Sequence, residues 1–140
     1  MPRSPLDDVS GPTPETQLDE DIAFIAAEDV ADGIGLKISK AGGLTPGRRH
    51  RDICRAAGLT VSVQATVGSS IAFAAILHLG ATVPTRLLRC VLNCEDMVTL
   101  KTAELDAVFS TDGILPGSSP RLGITVNEDV LGTPAMTWGD

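Results

Sequence analysis

The chain has 140 residues, 43% of them hydrophobic and 21% charged, which suits one globular domain with a mostly aliphatic core, since only 3% are aromatic. A formal net charge of −7 makes nucleic acid a poor partner. The longest apolar stretch, Ile71 to Leu79, is interrupted by His78 and is too short to cross a bilayer, so a soluble protein is expected.

The elements follow in chain order. Pro2, Pro5, Pro12 and Pro14 bar a regular helix, so residues 1–20 form an irregular N-terminal segment. A short helix then starts at Asp19 or Asp21, with acids in its first turn and Ile22, Phe24 and Ile25 behind them. Gly33 to Ser39 reads as a strand. The next helix has Thr45 as N-cap, Pro46 in its first helical position and Gly58 past its end, with His50, Ile53, Cys54 and Ala57 on one face. Arg48, Arg49, Arg51 and Arg55 line its solvent side. Leu59 to Gln64 is a β-branched strand, and Gly68-Ser69-Ser70 caps a nearly all-apolar helix that runs to His78 or Leu79. Leu87 to Leu92 is a third strand. Residues 96–140 form a tail with strand candidates at 97–102 and 107–109 and a turn at Asp112-Gly113.

Strand and helix thus alternate over residues 21–95, with strands about 25 to 30 residues apart, the pattern of parallel βα units in an α/β fold. Three strands cannot close an eight-stranded barrel. Cys54, Cys90 and Cys94 lack CxxC spacing and read as reduced thiols of a cytoplasmic protein.

Lys37 stands out, because it ends the apolar run Ile34-Gly35-Leu36 where a strand opens toward a helix. Parallel α/β folds place their chemistry at the carboxyl ends of strands, so an ammonium there is a candidate acid, base or ligand clamp. Lys40, past the strand, is at most a supporting group. Gly68 and Ser69 open a helix whose free N–H groups suit a substrate carboxylate, and plain capping explains them equally well. His50 and His78 sit among apolar residues and read as satisfied core histidines.

Asp32-Gly33-Ile34-Gly35-Leu36-Lys37-Ile38-Ser39-Lys40-Ala41-Gly42-Gly43-Leu44-Thr45, followed by Arg48-Arg49 and Asp52-Ile53-Cys54, resembles the sixth barrel unit of the mandelate racemase and muconate lactonizing enzyme branch of the enolase superfamily. Gly68-Ser69-Ser70-Ile71-Ala72 resembles its seventh strand-to-helix turn, and His78-Leu79-Gly80-Ala81 the end of that helix. Pro120-Arg121-Leu122-Gly123-Ile124 and Val130-Leu131-Gly132-Thr133-Pro134 resemble its closing tail. Asn93-Cys94-Glu95-Asp96-Met97-Val98-Thr99 looks closest to the hydroxyproline dehydratases and proline-betaine epimerases of that branch.

The resemblance implies the C-terminal part of a (β/α)8 barrel with Lys37 as acid/base, acting on a small carboxylate or amino acid by removing the proton alpha to the carboxylate with the help of Mg²⁺. It also implies three carboxylate metal ligands on earlier strands. The one candidate here is Asp7 in Leu6-Asp7-Asp8, 30 residues before Lys37, a longer gap than the resemblance implies. One carboxylate does not hold Mg²⁺ tightly, so the other ligands are expected from a preceding segment or a partner chain. Gln64-Ala65-Thr66 stands where related enzymes usually carry acids. The expected activity is therefore a dehydratase on a hydroxyproline-like substrate or an epimerase, and the alternative is a truncated, non-catalytic assembly module. Either way, association with copies of itself or with a completing chain is expected.

Overall fold

The computed structural model describes residues 18–66, 68–93, 97–110 and 113–138. Its helices are α1 (Asp19–Glu28), α2 (Ile38–Ala41), α3 (Leu44–Ala57), α4 (Ser70–Gly80) and α5 (Glu128–Leu131). Its strands are β1 (Gly33–Lys37), β2 (Thr60–Gln64), β3 (Leu88–Val91), β4 (Ala103–Leu105), β5 (Ala107–Ser110), β6 (Gly113–Pro116) and β7 (Ile124–Val126). β1, β2 and β3 form a parallel sheet in that order, joined by helical crossovers. In the tail, β4 pairs antiparallel with β7, and β5 with β6.

The strand expected to run to Ser39 ends at Lys37, because Ile38 turns directly into the one-turn helix α2. Gly42 and Gly43, with φ of 94° and 116°, adopt the left-handed backbone that closes this turn, and the Gly43 amide donates to the Ile38 carbonyl at 2.7 Å. α3 consequently starts two residues earlier than its sequence suggests. Gly43 is its N-cap in place of Thr45, and Pro46 falls in the first turn, where a missing N–H leaves no helix hydrogen bond unmade. At the other end Gly58, with φ 75°, is the expected stop. The Leu59 amide reaches back to the Cys54 carbonyl at 2.9 Å, so Leu59 belongs to the cap and β2 begins at Thr60. Ala57 is exposed rather than on the buried face, which His50 and Cys54 form with half-buried Ile53.

α4 decides how the layers stack. Eight of its eleven residues are buried, including Phe73, Ala74, Ala75, Ile76, Leu77 and Leu79, so no side of it is fit to face water. The parallel sheet covers one side, through β2 and β3, and the tail covers another, through β4, β6 and β7. The His78 Nε2 lies 3.2 Å from the Leu122 carbonyl oxygen and ties helix to tail. Phe73 and Ile76, at 1% and 0% exposure, each contribute roughly 2 kcal/mol by leaving water. They join Ile22, Ile34, Leu36, Val61 and Val63 in one core.

The strand expected at 97–102 is not formed by any described residue there. Met97 and Leu100 are exposed, so their apolar alternation buries nothing, and the chain pairs only from Ala103 onward. β6, β7 and α5 were not expected from sequence, and the turn residue Asp112 lies outside the described residues. The two tail sheets are joined at Asp106. Its amide donates to the Gly123 carbonyl at 2.7 Å, and its own carbonyl accepts from the Gly117 amide at 2.7 Å. Its carboxylate accepts from the Ser119 amide at 2.9 Å.

Two outcomes follow from this packing. A Cβ added at Gly33 would lie 2.1 Å from Thr60 Oγ1 and 2.5 Å from the Thr60 carbonyl oxygen, so Gly33→Ala should cost about 1–3 kcal/mol, read as a lowered urea midpoint. The Ser119 hydroxyl and amide hold the Asp106 carboxyl below its usual value. A depressed value means that the ionised form stabilises the tail above the ordinary carboxylate range, and that this is lost as pH falls through the lowered folded value. The protection of the Ser119 amide against hydrogen exchange, relative to its intrinsic rate at each pH, should therefore fall in acid, and Asp106→Asn should remove that acid limb.

Candidate active site

Strand alternation divides β1 and β2 into two faces. Ile34, Leu36, Val61 and Val63 share one face and belong to the core. Leu36 and Ile38 approach Gly47 of α3, where an added Cβ would meet Leu36 Cδ2 at 3.6 Å and Ile38 Cγ2 at 3.4 Å. The other face carries Gly33, Gly35 and Lys37 in register with Thr60, Ser62 and Gln64. It is small and polar, with no aliphatic side chain on either strand. The Thr60 hydroxyl donates to the Asp32 carbonyl at 2.9 Å, and both Thr60 and Ser62 are buried.

Lys37 is the last residue of β1 and half-buried, so the polar face ends in an ammonium group at the carboxyl edge of the sheet. Its register partner is Gln64, the last residue of β2. The Gln64 side chain folds back along the face, and a Cβ at Gly35 would lie 3.2 Å from Nε2, 3.7 Å from Cδ and 3.8 Å from Oε1. Just beyond the strand ends the hydroxyls of Ser39 and Thr66 hydrogen-bond each other, tying the start of α2 to the segment after β2.

Gly68 and Ser69 follow on that same segment. A Cβ at Gly68 would stand 2.9 Å from the Thr66 carbonyl oxygen, which explains the glycine by close approach. Ser69 is the N-cap of α4, its Oγ accepting from the Ala72 amide at 3.2 Å. Thr66 thus links the Ser39 contact to the N-terminus of α4, and the sequence-predicted Lys37, Gly68 and Ser69 all belong to segments at the carboxyl edge of the sheet. Asp7 lies outside the described residues. Lys40 is exposed on α2.

The histidines behave as structural groups. His50 is 2% exposed, with Nε2 3.0 Å from Asp19 Oδ1, while Arg49 Nε approaches Asp19 Oδ2 at 2.6 Å, so Asp19 joins α1 to α3. Burial pushes the Cys54 thiol up to about 12, which leaves it an inert core group. Cys54 and Cys90 are both free thiols. Among the described residues no group of three or more His, Cys, Asp or Glu could hold a metal ion. No helix among them is long and apolar enough to cross a membrane. A separate cavity of about 600 Å³ opens between α4, β3 and the β5–β6 hairpin, lined among others by Phe73, Leu77, Arg89 and Ile114, and Lys37 takes no part in it.

Gln64, Ser39 and Thr66 were not singled out as site residues from sequence. The two-residue period does put Gln64 on the lysine's face, whereas the Ser39–Thr66 contact joins positions 27 apart and has no local signal.

A family model described as enolase C-terminal domain-like matches residues 19–130. The chain is 40% identical over 113 residues to the cis-3-hydroxy-L-proline dehydratase of Roseibium aggregatum, which covers 80% of this chain and 30% of that protein. Among solved structures, a protein of Roseovarius nubinhibens assigned to the mandelate racemase/muconate lactonizing enzymes, complexed with magnesium, superposes with a TM-score of 0.83 at 49% identity. It covers 89% of this chain and 34% of that one. A protein of Aspergillus oryzae with the same assignment gives a TM-score of 0.77 at 57% identity, covering 84% of this chain and 33% of that one. The chain therefore spans about a third of the length of these relatives.

Capping alone predicts that Ser69→Ala lowers stability by about 1 kcal/mol, read as a shift in the urea midpoint, because the Ala72 amide loses its acceptor.

Proposed function

Given that the chain belongs to the enolase C-terminal domain-like family, we propose that it supplies the acid/base side of an enzyme that removes the proton alpha to a carboxylate, with Lys37 moving that proton. The observation that carries this reading is the position of Lys37, at the carboxyl edge of a parallel sheet and at the end of a face that Gly33 and Gly35 keep clear of bulky side chains. An amine there approaches a substrate lying over the glycines without crossing an apolar barrier. The fold is the C-terminal part of a (β/α)8 barrel, and sites on that fold are built at the carboxyl ends of its strands.

In the proposed reaction the neutral Lys37 amine takes the α-proton, and the C–H electron pair passes into the carboxylate as an enediolate. For a β-hydroxy substrate that pair then returns to form a carbon–carbon double bond as the C–O bond breaks, and the leaving hydroxide takes the proton that Lys37 removed and departs as water. For an epimerase, an acid contributed by a further segment would instead return a proton to the opposite face while Lys37 keeps the one it took. Free N–H groups in the first turn of α4, beyond the Ser69 cap, offer donors for the substrate carboxylate. The relative from Roseibium favours the dehydratase reading, with a hydroxyproline-like substrate.

The Mg²⁺ that the family implies does not fit the described residues, whose donors at the strand ends are an amine, a carboxamide and two hydroxyls. Asp7 and acids contributed by further strands would have to hold it. β1 and β3 each pair on one side only among the described residues, which favours the same conclusion, that a further segment, a second copy or a partner chain covers these edges. This observation also supports a second reading, in which the chain is an assembly module without catalysis of its own. We place the protein in the cytoplasm, where Cys54 and Cys90 stay reduced.

The test supplies the missing strands as a second polypeptide and follows exchange of the α-proton of cis-3-hydroxy-L-proline in D₂O by NMR, with Mg²⁺ present. Lys37→Ala should slow exchange by at least about 100-fold while leaving the thermal unfolding curve in place. Equal exchange by the variant would remove Lys37 from the reaction, and association without any exchange would favour the assembly module.

A further inference from the structure

We infer that Gln64 is a specificity-determining residue of the Lys37 site, reading an uncharged hydroxyl on the carbon next to the one that is deprotonated. The inference rests on the Lys37 reading for the location of the substrate, and on three observations of its own. First, Gln64 is the register partner of Lys37, so the two side chains leave adjacent strand ends on the same face. Second, its carboxamide lies back over Gly35, with all three of its terminal atoms within 4 Å of the space a Cβ would fill. It therefore borders the bare strip of β1 that leads to the lysine, rather than extending into solvent. Third, this half-buried carboxamide has no hydrogen-bond partner among the described residues, although the neighbouring hydroxyls of Thr60, Ser39 and Thr66 each have one.

An amide offers two N–H donors and one acceptor oxygen without charge. Such a group can donate to a hydroxyl oxygen and accept from the hydroxyl hydrogen at the same time. A site built around an unpaired polar group discriminates strongly against an analogue that leaves the group unpaired. A carboxylate in this place would instead favour an ammonium on the substrate and would form an ion pair with Lys37 that keeps the lysine protonated. The ligand class is thus a carboxylate bearing a hydroxyl on the carbon next to the deprotonated one, and the analogue lacking that hydroxyl should be rejected.

The chain labelled with ¹⁵N gives the readout. The side-chain amide signals of Gln64 are identified by their absence in Gln64→Leu, then followed while cis-3-hydroxy-L-proline or L-proline is added. The hydroxylated probe should shift them at least twofold further than L-proline. Gly35→Ala, which brings a methyl group to 3.2 Å from Nε2 and makes the carboxamide give way by a few tenths of an ångström, should reduce this difference while Gln64 itself is retained. Signals that ignore both probes, or respond equally to both, overturn the inference.

The exchange assay separates this result from the Lys37 reading. If Lys37→Ala loses α-proton exchange but Gln64→Leu keeps the wild-type rate with cis-3-hydroxy-L-proline, the lysine reading stands and the inference about Gln64 falls. If the Gln64 signals discriminate between the probes while Lys37→Ala exchanges the α-proton as fast as the wild type, Gln64 still reads the hydroxyl and the lysine reading falls.

Discussion

The requirement that α4 be dry on every side governs the arrangement of this chain. Most surface helices need one covered stripe, but a segment reading Ile71-Ala72-Phe73-Ala74-Ala75-Ile76-Leu77 has no stripe to spare for water. A three-stranded sheet hides only one side of it. The short antiparallel pairs of the tail are therefore part of the fold's stability rather than an ornament, since they supply the second cover. Strands of three or four residues have little stability alone. They persist because α4 gives them an apolar surface and because Asp106 fastens the two pairs to each other.

The same division of labour produces the site. With the core satisfied on one side of the sheet by Ile34, Leu36, Val61 and Val63, the opposite face is free to be small and polar. Gly33 makes room for Thr60 and Gly35 for Gln64, so the strands sit beside one another without bulky side chains between them and the lysine. The catalytic proposal thus depends on residues that contribute almost no contact area. It depends equally on the abrupt strand end, where Gly42 and Gly43 let the chain turn immediately after Lys37.

Much of this was legible in the residues themselves. Lys37 at a strand end, Gly58 as a helix stop and Ser69 as a helix cap all follow from local rules that depend on neighbours in sequence. The sequence places the start of α3 two residues late, because the Gly42-Gly43 pair both closes one helix and opens the next, and Thr45-Pro46 is an equally good opening by composition. The tail was harder. β4 meets β7 across a separation of about twenty residues, and the exposure of Val126 shows that their alternation is not driven by burial, so no periodic pattern marks them. The polar face was readable from strand alternation, but the folding back of Gln64 over Gly35 needs coordinates to be seen.

The register of β3 adds a consequence for the electrostatics of the lysine. Val61 pairs with Leu88 and Ser62 with Cys90, so Arg89 is an extra residue in the ladder. Without it every later side chain of β3 would change face. Arg89 would then stand opposite Ser62, two residues along the strand from Gln64, and add a second fixed cation to the strip that ends in Lys37. The bulge puts Cys90 at that register position instead. One inserted residue in a strand without any proposed chemical role thereby puts Cys90, not Arg89, in register with Ser62 beside the strip that ends in Lys37.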